Sequence, residues 1–195
     1  MSVELRAGSA SDKGNVRKSN QDRQLIAPRV FAVADGMGGH AGGEVAATTA
    51  INTVEAVFSQ EDQTTSQPLG LLSKSIEAAN RAIWSEAASN RNIRGMGTTL
   101  VGLAILNDGT AERVVVANVG DSRAYVLKDG ARLVQISNDH TLVEAMVGAG
   151  ELSAQEATVH PNRHILTRAL GTEPNVIIDT WQMDPSAGDR YQDLV

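Results

Sequence analysis

Cysteine is absent from this chain of 195 residues. That excludes a disulfide framework, a thiolate nucleophile and a thiolate zinc site. Aromatic residues make up only 3%, so a core has to be assembled from Val, Leu, Ile and Ala. A basic excess is missing too: 17 Lys and Arg stand against 23 Asp and Glu, a formal charge of -6. This balance argues against a dedicated nucleic-acid binder, which would carry a basic face. No apolar run approaches the roughly 18 residues that a membrane span requires. The opening stretch MSVELRAGSASDKG lacks the apolar centre of a signal peptide. A cytoplasmic protein with no membrane or nucleic-acid partner is the default expectation. What is present is 42% hydrophobic residues, which excludes disorder. A chain of this length buries roughly 70% of its unfolded surface, and residues 1–195 are expected to form one domain.

The hydrophobic pattern predicts two early helices and several antiparallel hairpins. About Gly43 to Ser59 carries Ala47, Ala50, Ile51, Val54, Val57 and Phe58 at helical spacing. About Leu69 to Ser89 does the same with Leu72, Ile76, Ala79, Ile83 and Ala87. The polar stretch Gln60 to Pro68 between them reads as a loop. Hairpins are predicted for Arg23–Ala27 with Arg29–Ala34 around Pro28, and for Thr98–Leu106 with Glu112–Val119 around Asn107-Asp108-Gly109. A third joins Ser122–Lys128 to Ala131–Ile136 around Asp129-Gly130, and Val176–Trp181 is a late strand. Hairpins with two inserted helices favour an α+β layered sandwich over a doubly wound parallel sheet. Between them, residues 138–171 hold a short helix at Thr141–Gly148 and a capping-box pattern, Ser153 with Glu156. Such an insertion is read either as a flap over a site or as a surface excursion without a role.

The densest chemical signal is the run from Val33 to Glu44, where an apolar strand ends in Asp35 and a glycine-rich turn leads to a helix. Gly36 to Ala41 satisfies the dinucleotide pattern G-x-G-x-x-G/A. An anion at Asp35 and the absence of a following βαβ unit speak against that use. Asp35 with the Gly36 carbonyl suits a hard cation such as Mg²⁺ or Mn²⁺, while a capping role for Asp35 at the helix start is the plainer alternative. Further acids stand at turns: Asp22, Asp121 and Asp139. Each alone fits an Asp bonding its own turn, but strand-end acids converging on one sandwich edge are what metal-assisted hydrolysis uses. His160 and His164 are spaced i,i+4, but Pro161 follows the first and no Glu lies between, so a zinc site is not read there. No G-x-S-x-G and no P-loop lysine occur.

Taken together, several segments resemble the metal-dependent protein phosphatases, the type 2C serine/threonine phosphatases, in their bacterial branch. They are Arg17-Lys18-Ser19-Asn20-Gln21-Asp22, Asp35-Gly36-Met37-Gly38-Gly39-His40, Gly95 to Leu100, Val119-Gly120-Asp121-Ser122-Arg123, Asn138-Asp139-His140 and the run His160 to Gly171. The resemblance spans about residues 5 to 191. It implies a four-layer α-β-β-α sandwich of two antiparallel sheets flanked by helices, with two Mn²⁺ or Mg²⁺ ions at one edge and a third bound more weakly. By the same resemblance Asp35 bridges two metals, the Gly36 carbonyl binds one, Asp22 holds a metal-bound water and Asp121 serves the third. Arg17 would hold the substrate phosphate, and His40 would be the general acid for the leaving alkoxide. The implied activity is hydrolysis of phosphoserine and phosphothreonine in proteins, opposing a Ser/Thr kinase. The family's C-terminal Ser-Asp-Gly and Asp-Asn motifs have no counterpart up to Val195. The last strands are therefore expected to be missing, and a phosphatase-like module that binds phosphoproteins or a kinase without cleaving them is the alternative.

Overall fold

The computed structural model describes residues 5–15, 19–38, 42–128 and 132–195. Strand β1 (Asp22–Ile26) and strand β2 (Val30–Met37) form the first hairpin. Helices α1 (Gly42–Gln60) and α2 (Pro68–Ser89) follow. Strands β3 (Gly97–Thr98), β4 (Leu100–Asn107) and β5 (Glu112–Val119) then lead to β6 (Arg123–Lys128) and β7 (Arg132–Gln135). Short helices α3 (Leu142–Gly148) and α4 (Ala154–Val159) precede β8 (Asp179–Met183) and β9 (Arg190–Leu194). The strands make two antiparallel sheets. One runs β1-β2-β4-β5-β8 with β3 pairing off β2, and the other runs β7-β6-β9.

Alternation explains how the layers bind. Along β4, Leu100, Ala104 and Leu106 face the helices, and Val101, Leu103 and Ile105 face the second sheet. Strand β5 repeats this with Val115, Ala117 and Val119 against Val114 and Val116. Both faces of these strands are buried, so they read as continuous apolar runs rather than a half-polar alternation. The helix stripes contain the expected residues except Val57, and α2 buries Leu71, Ser75 and Asn80 in addition. In α1 the buried set holds Ala46, and Val57 lies at the half-buried margin. In α2, Leu72, Ile76, Ala79 and Ile83 are fully enclosed. Pro68 opens α2 at a position where a missing N–H costs nothing.

The late strand begins at Asp179, three residues beyond the expected start, because the pairing with β5 runs from Asn118↔Asp179 to Val114↔Met183. Val176 and Ile178 still pack on the helix-side core. The layer between the sheets is thinner than the helix-side core. Among the described residues, Ala124 is the one member of the second sheet in its buried set, with Ile136 and Tyr191 packed alongside. A groove of about 960 Å³ opens there, lined by residues 5–10, by Phe31, Val33 and Leu103, and by residues 188–194.

Candidate metal and phosphate site

The first hairpin decides which acids meet. Its register sets Asp22 directly across from Asp35, and residues directly opposite on antiparallel strands project to the same face, with Cβ atoms about 4.5–5.5 Å apart. Both line a polar cavity of about 180 Å³, together with Asp12, Lys13, Ser19, Asn20, Gln21 and Val195. Asn20 holds the entry to β1, its Oδ1 accepting from the Asp22 N–H at 2.9 Å. The Gly36 N–H donates to the Gln21 carbonyl at 3.3 Å. A Cβ on Gly36 would lie 2.0 Å from the Gly43 carbonyl oxygen. Helix α1 therefore starts in contact with the strand that carries Asp35, an approach only glycine allows.

The backbone of Asp35 is held from the other side by a threonine pair. Its N–H donates to Thr99 Oγ1 at 3.0 Å, and its carbonyl accepts from the Thr99 N–H at 2.9 Å and from Thr98 Oγ1 at 2.9 Å. Thr99 Oγ1 also hydrogen-bonds Ser122 Oγ at 2.6 Å. Thr98, Thr99 and Ser122 are all buried. Two hydroxyls thus link the backbone of Asp35 to the turn that carries Asp121. At that turn Gly120 has φ of +112, and a Cβ there would sit 2.6 Å from Thr99 Cγ2. The turn is tight because it is pressed on the threonine.

Asp121 sits outside the cavity that Asp22 and Asp35 share. Burial pushes its carboxyl above the ordinary range, and Asp139 nearby adds to the rise. Arg123 clamps Asp139 with a fork, Nε to Oδ1 at 2.8 Å and Nη2 to Oδ2 at 2.5 Å. Among the described residues no group of three acids or histidines comes together as a metal cage. Of the four expected metal donors, Asp22, Asp35 and Gly36 are therefore assembled at one strand end. Asp121 is joined to them through Thr99 and Ser122. Arg17 and His40 lie outside the described residues. The donor set at hand is two carboxylates and a carbonyl on the strand beside them. That suits one hard divalent cation, which is held by one or two carboxylates with water completing its shell.

Sequence reasoning did not pick out Asp12 and Lys13 of the cavity, nor the hydroxyl chain. Thr98, Thr99 and Ser122 lie within the motif segments, but nothing in their spacing shows that they join two separate turns. A second group is His140, Arg168 and Asp179, of which the motif segments held His140 and Arg168 without showing that they meet Asp179. His140 is 4% exposed, its Nε2 lies 3.2 Å from Asp179 Oδ2, and Arg168 Nη1 donates to Asp179 Oδ1 at 2.6 Å. Burial alone would raise the Asp179 carboxyl, but the hydrogen bonds from Arg168 and His140 outweigh it and hold it low.

The sequence model described as "Protein phosphatase 2C" matches residues 5–145. The serine/threonine protein phosphatase PstP of Mycobacterium tuberculosis is 39% identical over 187 residues, covering 96% of this chain and 35% of that protein. The serine/threonine phosphatase stp of Listeria welshimeri is 36% identical over 184 residues, covering 91% of this chain and 71% of that protein. The chain thus spans about a third of the mycobacterial relative's length. The crystal structure of M. tuberculosis PstP/Ppp superposes with a TM-score of 0.82 at 38% identity, over 93% of this chain and 74% of that one. A structure of the PstP catalytic domain in complex with two manganese ions gives 0.76 at 35% identity, over 93% and 73%. Two antiparallel sheets with flanking helices, an acid pair at a strand end and these matches agree: the chain belongs to the protein phosphatase 2C family.

Proposed function

We propose that the chain is a metal-dependent phosphatase acting on phosphoserine and phosphothreonine in proteins, with Mn²⁺ or Mg²⁺ as cofactor. The observation that carries this reading is the register of the first hairpin, which sets Asp22 across from Asp35 beside the Gly36 carbonyl. Phosphate-monoester hydrolysis is so slow uncatalysed that a site must supply on the order of 20 kcal/mol or more. A bound cation would supply Lewis-acid charge there, making water a better nucleophile and offsetting the charge of the phosphoryl oxygens. Asp22, Asp35 and the Gly36 carbonyl are the residues that would hold it, and Asp121 would serve a further, weaker ion. The protein's own part is positional. Thr98 and Thr99 fix the Asp35 backbone, so its carboxylate need not reorganise as charge develops. Arg17 is assigned the substrate phosphate, because a planar guanidinium matches a dianion with paired hydrogen bonds. His40 is assigned the proton given to the leaving alkoxide. The proposal places the protein in the cytoplasm, opposite a Ser/Thr kinase and sharing its targets.

The same proposal treats residues 1–195 as one domain and 138–171 as a flap. The ends of that segment are tied together, which supports it: the Leu142 N–H donates to the Ile165 carbonyl at 2.8 Å and the Thr167 N–H to the His140 carbonyl at 2.8 Å. Helices α3 and α4 sit in the excursion between, α4 opening on the capping box of Ser153 and Glu156.

The test is phosphate release from a phosphothreonine peptide, with Mn²⁺, with chelator, and with Asp35→Ala in parallel. Turnover that requires Mn²⁺ and disappears in the variant is expected. Equal release with chelator, or an unaffected variant, would refute the proposal. One observation favours a second reading, a module that binds phosphoproteins without cleaving them: Asp121 stands outside the cavity of Asp22 and Asp35. Chelator-insensitive phosphopeptide binding by folded protein that releases no phosphate would select it.

A further inference from the structure

We propose that His140 is a positioning residue for the Asp121 turn, and that it couples this turn to the base of the 138–171 segment. His140 grips Gly120 twice. Its Nδ1 accepts the Gly120 N–H at 3.0 Å, and its own N–H donates to the Gly120 carbonyl at 2.9 Å. Gly120 is the residue immediately before Asp121, and its left-handed φ of +112 is a conformation that needs holding. The imidazole therefore sets where the turn leaves β5 and where Asp121 begins.

The hydrogen bonds also fix the tautomer. Nδ1 accepts from a backbone N–H, so it carries no proton, and the neutral ring has its hydrogen on Nε2. Nε2 faces Asp179 Oδ2 at 3.2 Å, the acceptor this tautomer requires. Arg168 Nη1 lies 3.1 Å from the same nitrogen and donates to Asp179 Oδ1 at 2.6 Å. Both donors are turned to one carboxylate, and the guanidinium charge beside the ring opposes a second ring proton. Such a proton would sit on Nδ1 and point at the Gly120 N–H, breaking the grip. Burial of the ring acts in the same direction and lowers the pKa of His140.

The coupling to the segment runs through the same residue. The His140 carbonyl accepts the Thr167 N–H at 2.8 Å, and Arg168 is the next residue. Asp179 opens β8 across from Asn118, whose Nδ2 donates to the carbonyls of Gly120 at 3.2 Å and Asn138 at 3.0 Å. One imidazole thus joins the end of β5, the start of β8 and both ends of the 138–171 excursion. A displacement of the segment base moves the ring, and the ring moves the turn.

The proposal rests on the phosphatase reading only for what Asp121 does, and its test separates the two. Histidine ¹⁵N NMR of the metal-free chain at pH 7 should show His140 neutral and protonated on Nε2. The Gly120 amide should be protected from hydrogen exchange. His140→Gln, which places no acceptor at Nδ1, should lose that protection. His140→Asn, whose Oδ1 sits where Nδ1 sits, should restore it. Asp179→Asn, which leaves the ring contacts with Gly120 possible, should shift the tautomer equilibrium without unfolding the chain. In Mn²⁺ titrations followed at the Asp121 amide, His140→Gln should weaken binding about 10- to 100-fold, the usual effect of losing a supporting partner. A ring protonated on Nδ1, or equal Gly120 exchange in wild type and His140→Gln, would overturn the proposal. The NMR outcomes hold whether or not the chain releases phosphate. Absence of turnover with an intact grip would count against the phosphatase reading alone.

Discussion

Asp193 provides a quantitative test of the fold's weaker layer. It lies on β9 opposite Ala124, on the same face as Tyr191, and that face turns toward the first sheet. Its Oδ1 is sealed from solvent and has no hydrogen-bond partner. Burial alone raises its carboxyl from the ordinary 3.8 to about 7. The sign follows from proton counting. Below pH 3.8 the group is neutral in both states and costs little. Between there and about 7 the unfolded chain ionises while the folded chain keeps its proton, so stability falls as pH rises. Above about 7 the penalty is complete, and at about 1.4 kcal/mol per pH unit it reaches at most about 4 kcal/mol. The ceiling is not expected in full, because the carboxyl stands at the wall of an open groove where water can approach. Asp193→Asn keeps the shape and removes the charge. It should therefore raise stability at pH 8 by about 1–4 kcal/mol and leave stability at pH 4 almost unchanged. For a chain of this size that is a gain of several degrees in Tm, at about 2–4 °C per kcal/mol. Urea denaturation of wild type and variant at pH 4, 6 and 8 measures it, and the difference between the two chains cancels every other titrating group. A difference that is the same at pH 4 and pH 8 would refute the reasoning, because the carboxylate would then ionise as freely folded as unfolded.

Three further substitutions probe the packing that carries the site. Gly36→Ala forces a Cβ to 2.0 Å from the Gly43 carbonyl oxygen, so its urea midpoint should drop by the equivalent of about 3 kcal/mol or more, and Mn²⁺ binding should weaken with it. Gly148→Ala meets nothing within 4 Å at the end of α3 and should instead stabilise by about 0.4–1 kcal/mol in the same assay, by restricting the unfolded chain. Ile83→Ala in α2 empties a fully enclosed position and should cost about 2–5 kcal/mol. Its readout is Tm together with exchange protection of the Gly171 amide, since a Cβ on Gly171 would reach Ile83 Cγ2 at 2.1 Å.

The helices were legible in the sequence because a stripe of apolar residues at a period of 3.6 has one burial solution. The exchange of Val57 for Ala46 at the edge of the α1 stripe shows where it stops: the marginal position is chosen by the width of the contact, not by the period. The hairpins were legible from apolar runs flanking turn residues such as Asn107-Asp108-Gly109. Asp108 accepts from the Thr110 hydroxyl at 2.6 Å, from the Ala111 N–H at 2.8 Å, from Arg113 Nε at 2.6 Å and from the Thr110 N–H at 2.8 Å, and these hydrogen bonds hold its carboxyl low. The start of β8 was not legible, because Val176 to Ile178 are as apolar as a strand, yet Val176 and Ile178 pack on the helix-side core without joining the ladder and Ile177 is exposed. Asn80 was not legible either. It is a polar residue inside the α2 stripe, and it earns burial only through tertiary partners: its Oδ1 accepts from the Gly171 N–H at 2.8 Å and its Nδ2 donates to the Glu173 and Pro174 carbonyls. Of the site, the acids were named through the family resemblance of their segments, since each alone reads as an Asp bonding its own turn. Which of them meet could not be named. The pairing of Asp22 with Asp35 is a matter of register, and the distance of Asp121 from that pair is a matter of how the β5 turn closes.

The backbone contacts that fix the site run to the helix side of the sandwich, while the Asp35 side chain shares its strand face with Phe31 and Val33, which turn toward the second sheet. Asp35 lies on β2 next to Gly36, which touches the first turn of α1, and its backbone is bonded to Thr98 of β3 and to Thr99 just before β4. Thr98 in turn exchanges backbone hydrogen bonds with Leu170, N–H to carbonyl at 3.1 Å and the reverse at 2.9 Å. Leu170 is fully enclosed against the helix-side core. The groove between the sheets is bordered by β9 and the chain before β1, and none of the residues that fix Asp35 or Gly120 lies along it. A change at Asp193 should therefore alter stability at high pH while leaving the Gly120 amide as protected as before. A change at His140 should do the reverse, releasing the Gly120 amide and altering the pH dependence of unfolding only on the acid side, where a buried ring with a lowered pKa loses stability as the unfolded chain takes up a proton. Both responses can be read in one hydrogen-exchange experiment across pH. If Asp193→Asn altered Gly120 protection as much as His140→Gln does, the two layers would be coupled, and the separation argued from these contacts would be wrong.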